Sequence, residues 1–337
     1  MKKIVALAFT AASLMASSLV QDAQNAGLKA IPQSQTKLLK LIDNPKNPIT
    51  KAKVKLGEKL YFDPRLSRSG LISCNTCHNL SEGGDDGVGP ATGHMWRHNP
   101  HHLNSPTVYN AVFFGSQFWD GRAKDLEAQA QGPALAHPEM AATKEHIVAV
   151  VKSMPEYVKA FKQAYGDNVN ITFEKVTDTI ANFERTLVTP SAFDSFMNGY
   201  KEAMTPKQKE GLKTFIKVGC ASCHNGVALG GEMSAFNVTA KYKYMNTGDF
   251  KGDKNGMVKV PTLRNITQTA PYFHNGMIWN LKDAIKEMGR IQLGTKITDK
   301  QAESIEAFLG ALDGKKPHMM MPMLPASTPA TPKPNLN

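Results

Sequence analysis

The chain has 337 residues, with 40 Lys and Arg against 29 Asp and Glu and a formal net charge of +11. Its lysines are scattered along helical segments, and no basic block is interleaved with stacking aromatics, which argues against nucleic acid as the partner of that charge. A diffuse positive face instead suits the steering of an acidic redox protein.

Met1-Lys2-Lys3, an apolar stretch from Ile4 to Leu19 and a polar segment from Gln21 have the layout of a secretory signal peptide. We take it as residues 1–22, with the cleaved bond between Ala16 and Ala26. A retained membrane anchor competes with that reading, but Thr10, Ser13, Ser17 and Ser18 interrupt a run already short for a spanning helix. Export to the periplasm without stable membrane insertion is the expectation. The remaining chain is long enough for two domains of ordinary size.

The first of two matching motifs follows, Cys74-Asn75-Thr76-Cys77-His78, and behind it a glycine-rich loop from Gly83 to Gly89. Apolar residues at helical spacing then predict helices over Lys144–Met154, Glu156–Tyr165, Phe173–Leu187 and Pro206–Val218, the last with Thr205 as N-cap and proline at N1. Thr189-Pro190-Ser191, about midway between the motifs, is the expected hinge or domain boundary. The second motif is Cys220-Ala221-Ser222-Cys223-His224, followed by Gly230-Gly231. Thr298 to Gln301 reads as a capping box for a helix running to about Leu312. Residues 317–337, rich in proline, methionine and small residues, are expected to be a disordered tail, with soft-metal binding by the methionines as the rival reading. Strand-like alternation is sparse, so the fold is expected to be mainly α.

Both motifs have the attachment pattern of c-type haem: two thiols that add across the vinyl groups and a histidine that ligates iron. A zinc half-site or a thioredoxin-like pair would leave the histidines unexplained, and neither motif sits in a visible βαβ pattern. The motifs use up all four cysteines, so structural disulfides are not expected. Their histidines are 146 residues apart, which favours one covalent haem c in each of two helical domains. The sixth iron position decides the chemistry, since a Met partner suits electron transfer and an open or displaceable one suits work on a small ligand. With 10 His and 16 Met available, composition and spacing do not choose among them.

A wider set of runs carries a resemblance: Cys74-Asn75-Thr76-Cys77-His78-Asn79-Leu80, Gly93-His94-Met95-Trp96, Asn104-Ser105-Pro106-Thr107-Val108-Tyr109-Asn110, Gln117-Phe118-Trp119-Asp120-Gly121-Arg122, Val260-Pro261-Thr262-Leu263-Arg264-Asn265 and Pro271-Tyr272-Phe273-His274-Asn275-Gly276. In this order they resemble bacterial dihaem cytochrome c peroxidase, over roughly Leu56 to Leu312. The resemblance implies two cytochrome c-like helical domains, a peroxidatic one over 27–189 and an electron-transfer one over 190–316. It implies a periplasmic enzyme that reduces hydrogen peroxide to water with electrons from a small cytochrome c or copper protein. A homodimer is usual in that family.

Carried over residue by residue, the resemblance gives the peroxidatic haem Cys74, Cys77 and His78, with His94 as a distal ligand that leaves on activation. Glu139 would be the acid/base carboxylate and Gln129 a hydrogen-bonding partner for peroxide. The second haem takes Cys220, Cys223 and His224, with Met288 as sixth ligand, and Gly289 beside it would make room for the ring. Trp119 would lie between the haems. Asn104, through its side chain, and Thr269 and Pro271, through their carbonyls, would hold calcium. Two rival classes stay open: a dihaem electron carrier, which would need neither Glu139 nor Gln129, and a protein-oxidising dihaem enzyme, whose relatives carry tyrosine in place of Met288.

Overall fold

A computed structural model describes residues 18–336 and is mainly helical. The helices are α1 Gln35–Ile42, α2 Lys51–Phe62, α3 Cys74–Cys77, α4 Leu126–Leu135, α5 Lys144–Lys152, α6 Pro155–Tyr165, α7 Phe173–Glu184, α8 Ala192–Met197, α9 Pro206–Lys217, α10 Leu281–Gln292 and α11 Asp299–Gly310. Local chemistry sets their starts. Thr50 caps α2 by accepting from the Lys53 N–H, and Thr205 and Thr298 open α9 and α11 with complete capping boxes to Gln208 and Gln301. The strands among the described residues are β1 Met233–Ala235 and β2 Met257–Lys259, antiparallel, with Met233 opposite Lys259.

Buried apolar residues gather in two large clusters. One runs from Leu56 to Leu187 and includes Tyr61, Tyr157, Phe161 and Phe183. The other draws on residues 193–312, with Phe193, Phe196, Phe215 and Phe308 at its centre. Each of these fully buried aromatics contributes about 1.5–3 kcal/mol by leaving water. The two clusters share one construction: α2 crosses α7 in the first and α9 crosses α11 in the second. Both crossings are made at a glycine. A Cβ at Gly57 would lie 2.2 Å from the Thr179 carbonyl oxygen, and one at Gly211 would lie 2.0 Å from that of Ser304, so no side chain fits at either point.

The segment expected to hinge is held on both sides. Thr189 is fully buried; its N–H donates to Asn110 Oδ1 at 2.9 Å, and its hydroxyl accepts from Asn110 Nδ2 at 2.8 Å and Asn265 Nδ2 at 2.9 Å. A buried residue with its backbone and side chain bonded into both units is a weld, not a swivel. Nearby, Arg264 and Asp194, both essentially inaccessible, form a two-pronged ion pair at 2.8 and 2.9 Å, and Asp194 also accepts from the Ile31 N–H.

The chain ends cross over. Residues 18–25 are helical, and Leu19, Ala23 and Leu28 are buried in the second cluster, not the first. Of the expected leader, residues 1–17 lie outside the described residues. The expectation of a disordered tail is corrected: after Lys316 the chain runs back over the first unit without helix or strand. Met319 and Leu324 pack on its core, Arg65 donates to the Pro325 carbonyl at 2.8 Å, Thr328 donates to the Ser153 carbonyl at 2.9 Å, and the Asn335 N–H reaches the Arg68 carbonyl at 2.8 Å. Extended backbone rich in proline can dock through carbonyls and side chains where its composition disfavours helix and sheet. No helix among the described residues is long and apolar enough to cross a membrane.

Candidate functional site

The first motif forms α3 because Ser73 and Thr76 make a reciprocal cap around its single turn. His78 then leaves the helix, and its Nδ1 lies 2.9 Å from the Pro106 carbonyl oxygen. That bond fixes the ring and leaves Nε2 for the cavity. Burial lowers the imidazole pKa, keeping it neutral as a metal ligand requires. His78, Cys77, Gln129 and Glu139 all line two adjoining hollows, an inner and an outer one, that make up the first cavity. Gln129 projects from α4, which Asp125 starts by accepting from the Ala128 N–H, and Glu139 follows that helix after Pro138. Burial raises the Glu139 pKa above the ordinary carboxylate range, opposed by the nearby Arg122 guanidinium.

A second carboxyl lines the same hollow. Glu184, from the end of α7, is 5% exposed, and its Oε2 has no hydrogen-bond partner among the described residues. Burial, with the Glu127 charge adding to it, pushes its pKa up to about 8. Sequence reasoning passed over it because a glutamate in the last turn of an amphipathic helix reads as solvent-facing.

His94 is not brought into the hollow. Its neighbours Gly93 and Pro138 line the outer part, but the His94 ring is not among the lining residues. The ring is buried edge-on to His137 at 5.8 Å, and Nδ1 has no partner among the described residues. The backbone there is strained, since Met95 and Trp96 sit at φ 59° and 58°, a left-handed region that side chains disfavour.

The second motif opens on a larger apolar cavity that holds Cys220, Cys223, His224 and Met288 together. His224 Nδ1 lies 3.2 Å from the Leu229 carbonyl, and burial lowers the ring pKa to about 4. Met288 projects from α10, which Asn280 caps. Gly289 is needed for the protein's own packing: a Cβ there would meet Ile297 Cγ1 at 2.4 Å. Gly230 likewise makes room for the Pro261 carbonyl. No carboxylate lines this second cavity, whereas Glu139 and Glu184 line both parts of the first and Asp120 joins them in the outer part. His274 does line it; its ring stands edge-on to Trp119 at 6.4 Å and to Phe236 at 5.5 Å.

Trp119 faces both hollows, its indole N–H donating to the Asn104 carbonyl at 2.9 Å. Asn104 and Pro271 meet directly, the side-chain amide donating to the Pro271 carbonyl at 2.7 Å, and Asn104 Oδ1 is buried without a partner. Thr269 and Pro271 line the second cavity with Asn104. Among the described residues no three His, Cys, Asp or Glu side chains group as a metal cluster, so any cation here would rest on amide and carbonyl oxygens.

Residues 51–202 match the family model described as di-haem cytochrome c peroxidase. The chain is 43% identical to a cytochrome c551 peroxidase of Pseudomonas aeruginosa, over 96% of this chain and 95% of the relative. It belongs to the dihaem cytochrome c peroxidase family. A cytochrome c551 peroxidase of Nitrosomonas europaea is 45% identical over 82% of this chain and 85% of its own. A crystal structure titled as a MauG-like protein associated with microbial copper homeostasis shares the fold, with TM-score 0.70 at 24% identity over 81% of this chain and 93% of that one. This dihaem peroxidase is therefore an oxidoreductase that reduces hydrogen peroxide and uses two haem groups.

Proposed function

We propose that the two haems of this peroxidase are bound covalently, one at Cys74 and Cys77 with His78 as ligand, the other at Cys220 and Cys223 with His224, and that peroxide is reduced only at the first. The observation that carries this division is the placing of carboxyls: Glu139, with Gln129 beside it, faces the His78 hollow, whereas the His224 cavity has Met288 and no carboxylate. Both cavities fit the group. Each offers a half-buried neutral imidazole with its Nδ1 beside a carbonyl oxygen and two thiols at one edge; the rest of the lining is largely apolar in the second cavity and includes Gln129, Glu139 and Glu184 in the first.

Bound there, haem supplies the redox-active iron at which peroxide is reduced. The chain's own residues handle protons and position. Reduction consumes two electrons and two protons per peroxide and yields two waters. Glu139 takes a proton from one peroxide oxygen and returns it to the departing one, a transfer that needs a carboxyl whose pKa lies above its ordinary value. The Gln129 amide donates to peroxide or product water. Met288 and His224 together favour a centre that passes electrons without opening, and Trp119 lies on the route between.

His94 would serve as the sixth ligand of the resting enzyme, reaching the hollow by a shift of residues 93–96, where the strained backbone favours such a change. Calcium at the junction would draw on the unpaired Asn104 oxygen, whose side-chain amide meets the Pro271 carbonyl, and on Thr269, which lines the same cavity. A small periplasmic cytochrome c or copper protein would be the electron donor. The mature chain would be periplasmic, with a leader that ends ahead of Ser18 so that the buried Leu19 and Ala23 are kept.

The test is electron paramagnetic resonance of the oxidised protein together with steady-state peroxide reduction by a reduced small cytochrome c. One His/Met iron and one distinct second centre, with turnover, is expected. Two spectroscopically identical centres, or no turnover at full haem loading after half-reduction, would refute the division of labour.

A further inference from the structure

Seven residues line both haem cavities and so form the wall between them, Asn104, Phe114 and Trp119 included. Only Lys259 among them carries a charge. It ends β2, and its N–H donates to the Trp119 carbonyl at 2.8 Å, so the same pairing that sets the tryptophan in the wall sets the lysine. The residue is 3% exposed.

Among the described residues, Nζ has no hydrogen-bond or ion-pair partner, and its close contact is the face of the Phe114 ring, 4.7 Å to the centroid. Asp120 acts on it from further away and is itself bonded to Arg122 at 2.8 Å. A lysine buried with so little compensation is costly, and burial pushes its pKa down to about 7. One aromatic face does not offset that desolvation. The site asks for an anion, which the surrounding side chains do not supply. Its charge also reaches the first cavity, since it disfavours protonation of His78.

We propose that Lys259 binds a haem carboxylate at this wall and raises the reduction potential of the haem it pairs with. The inference rests on haem filling the two cavities as set out above. An ammonium held against the haem edge favours the reduced iron, which carries one positive charge fewer. The phenyl face of Phe114 excludes water on the other side and keeps the pair from being screened.

Full-length chain matured with haem, as wild type, Lys259→Met and Lys259→Arg, tests this by pyridine-haemochrome haem counting and spectroelectrochemical titration. Lys259→Met should retain two haems and shift the reduced-to-oxidised ratio of one of them by about tenfold toward oxidised at fixed potential, ~59 mV for one electron. Lys259→Arg should stay within about twofold of wild type, because it keeps the charge. Haem loss in Lys259→Met with retention in Lys259→Arg would support the same dependence on charge. Unshifted potentials in a fully loaded Lys259→Met, or equal defects in both variants, would overturn it. A wild-type chain with fewer than two haems would instead remove the reading of the cavities beneath it.

Discussion

Replacing Glu139 with glutamine keeps the shape and polarity of a half-buried side chain while removing its ability to exchange a proton. Glutamine strands no buried charge, because the nearby Arg122 guanidinium is exposed and stays paired with Asp120. General acid–base catalysis by one positioned group is worth about 10²–10⁴-fold. At 1.36 kcal/mol per tenfold, loss of that group raises the barrier by ~2.7–5.4 kcal/mol. Turnover in Glu139→Gln should fall by that factor while both haem spectra stay as in the wild type. The pH profile gives a second reading. Peroxide must first lose a proton to ionised Glu139, so wild-type kcat/KM should fall as pH drops through the raised Glu139 pKa, beginning above the ordinary carboxylate range. In Glu139→Gln that acid limb should vanish, leaving a flat and low rate. The assay is stopped-flow peroxide reduction by reduced cytochrome c across pH 4 to 8 or so, a span set by ordinary carboxylate and histidine values. Wild-type turnover in a fully loaded variant, or an unchanged acid limb, would refute the assignment.

Other expectations concern the frame. Asp194→Ala would leave the Arg264 guanidinium buried without its partner and should cost about 3–5 kcal/mol in chemical denaturation; a loss under 1 kcal/mol or so would show that water reaches the site. Gly211→Ala forces a methyl onto the Ser304 carbonyl and should destabilise by about 1–3 kcal/mol or more, read as a lowered melting temperature. Trp119→Phe should slow reduction of the first haem by the second in rapid-mixing experiments while leaving both sets of haem absorption bands unchanged; equal rates would take the indole out of the electron route. Truncation after Lys316 should expose Arg65 and the α5–α6 turn to limited proteolysis, and an unchanged digestion pattern would show that the tail protects nothing.

The helices the sequence marks most clearly are those with both a cap and a moment. Pro206–Lys217 and Asp299–Gly310 start at their predicted threonines and end within two residues of the periodicity. Lys51–Phe62 had no comparable signal, because its apolar face is mixed with lysines whose stems cover the core, and Lys53 is itself buried. The two Cys-x-x-Cys-His motifs were legible because the proposed covalent attachment would demand adjacent residues. The pocket was not, because Glu139, Gln129 and Glu184 come from separate elements. Resemblance supplied the first two and nothing supplied the third. Thr189-Pro190-Ser191 read as a hinge or domain boundary from its place midway between the motifs, and position in the sequence does not reveal the Asn110 and Asn265 partners that hold Thr189 in place. The tail misled for a related reason: composition reports what a segment cannot form by itself, not what surface it can lie along.

The crossing of the chain ends has a consequence for assembly. Residues 18–31 are made ahead of the first motif, but Leu19, Ala23 and Leu28 pack among residues 193–312 and the Ile31 N–H bonds to Asp194, all of which are made after the first unit. That segment therefore has no seat until the whole first unit has been synthesised. Conversely, that unit gains its outer strap only when the final residues arrive. A chain so ordered cannot finish either half early, and the bond between the Ile31 N–H and Asp194 forms only after synthesis has passed the first unit.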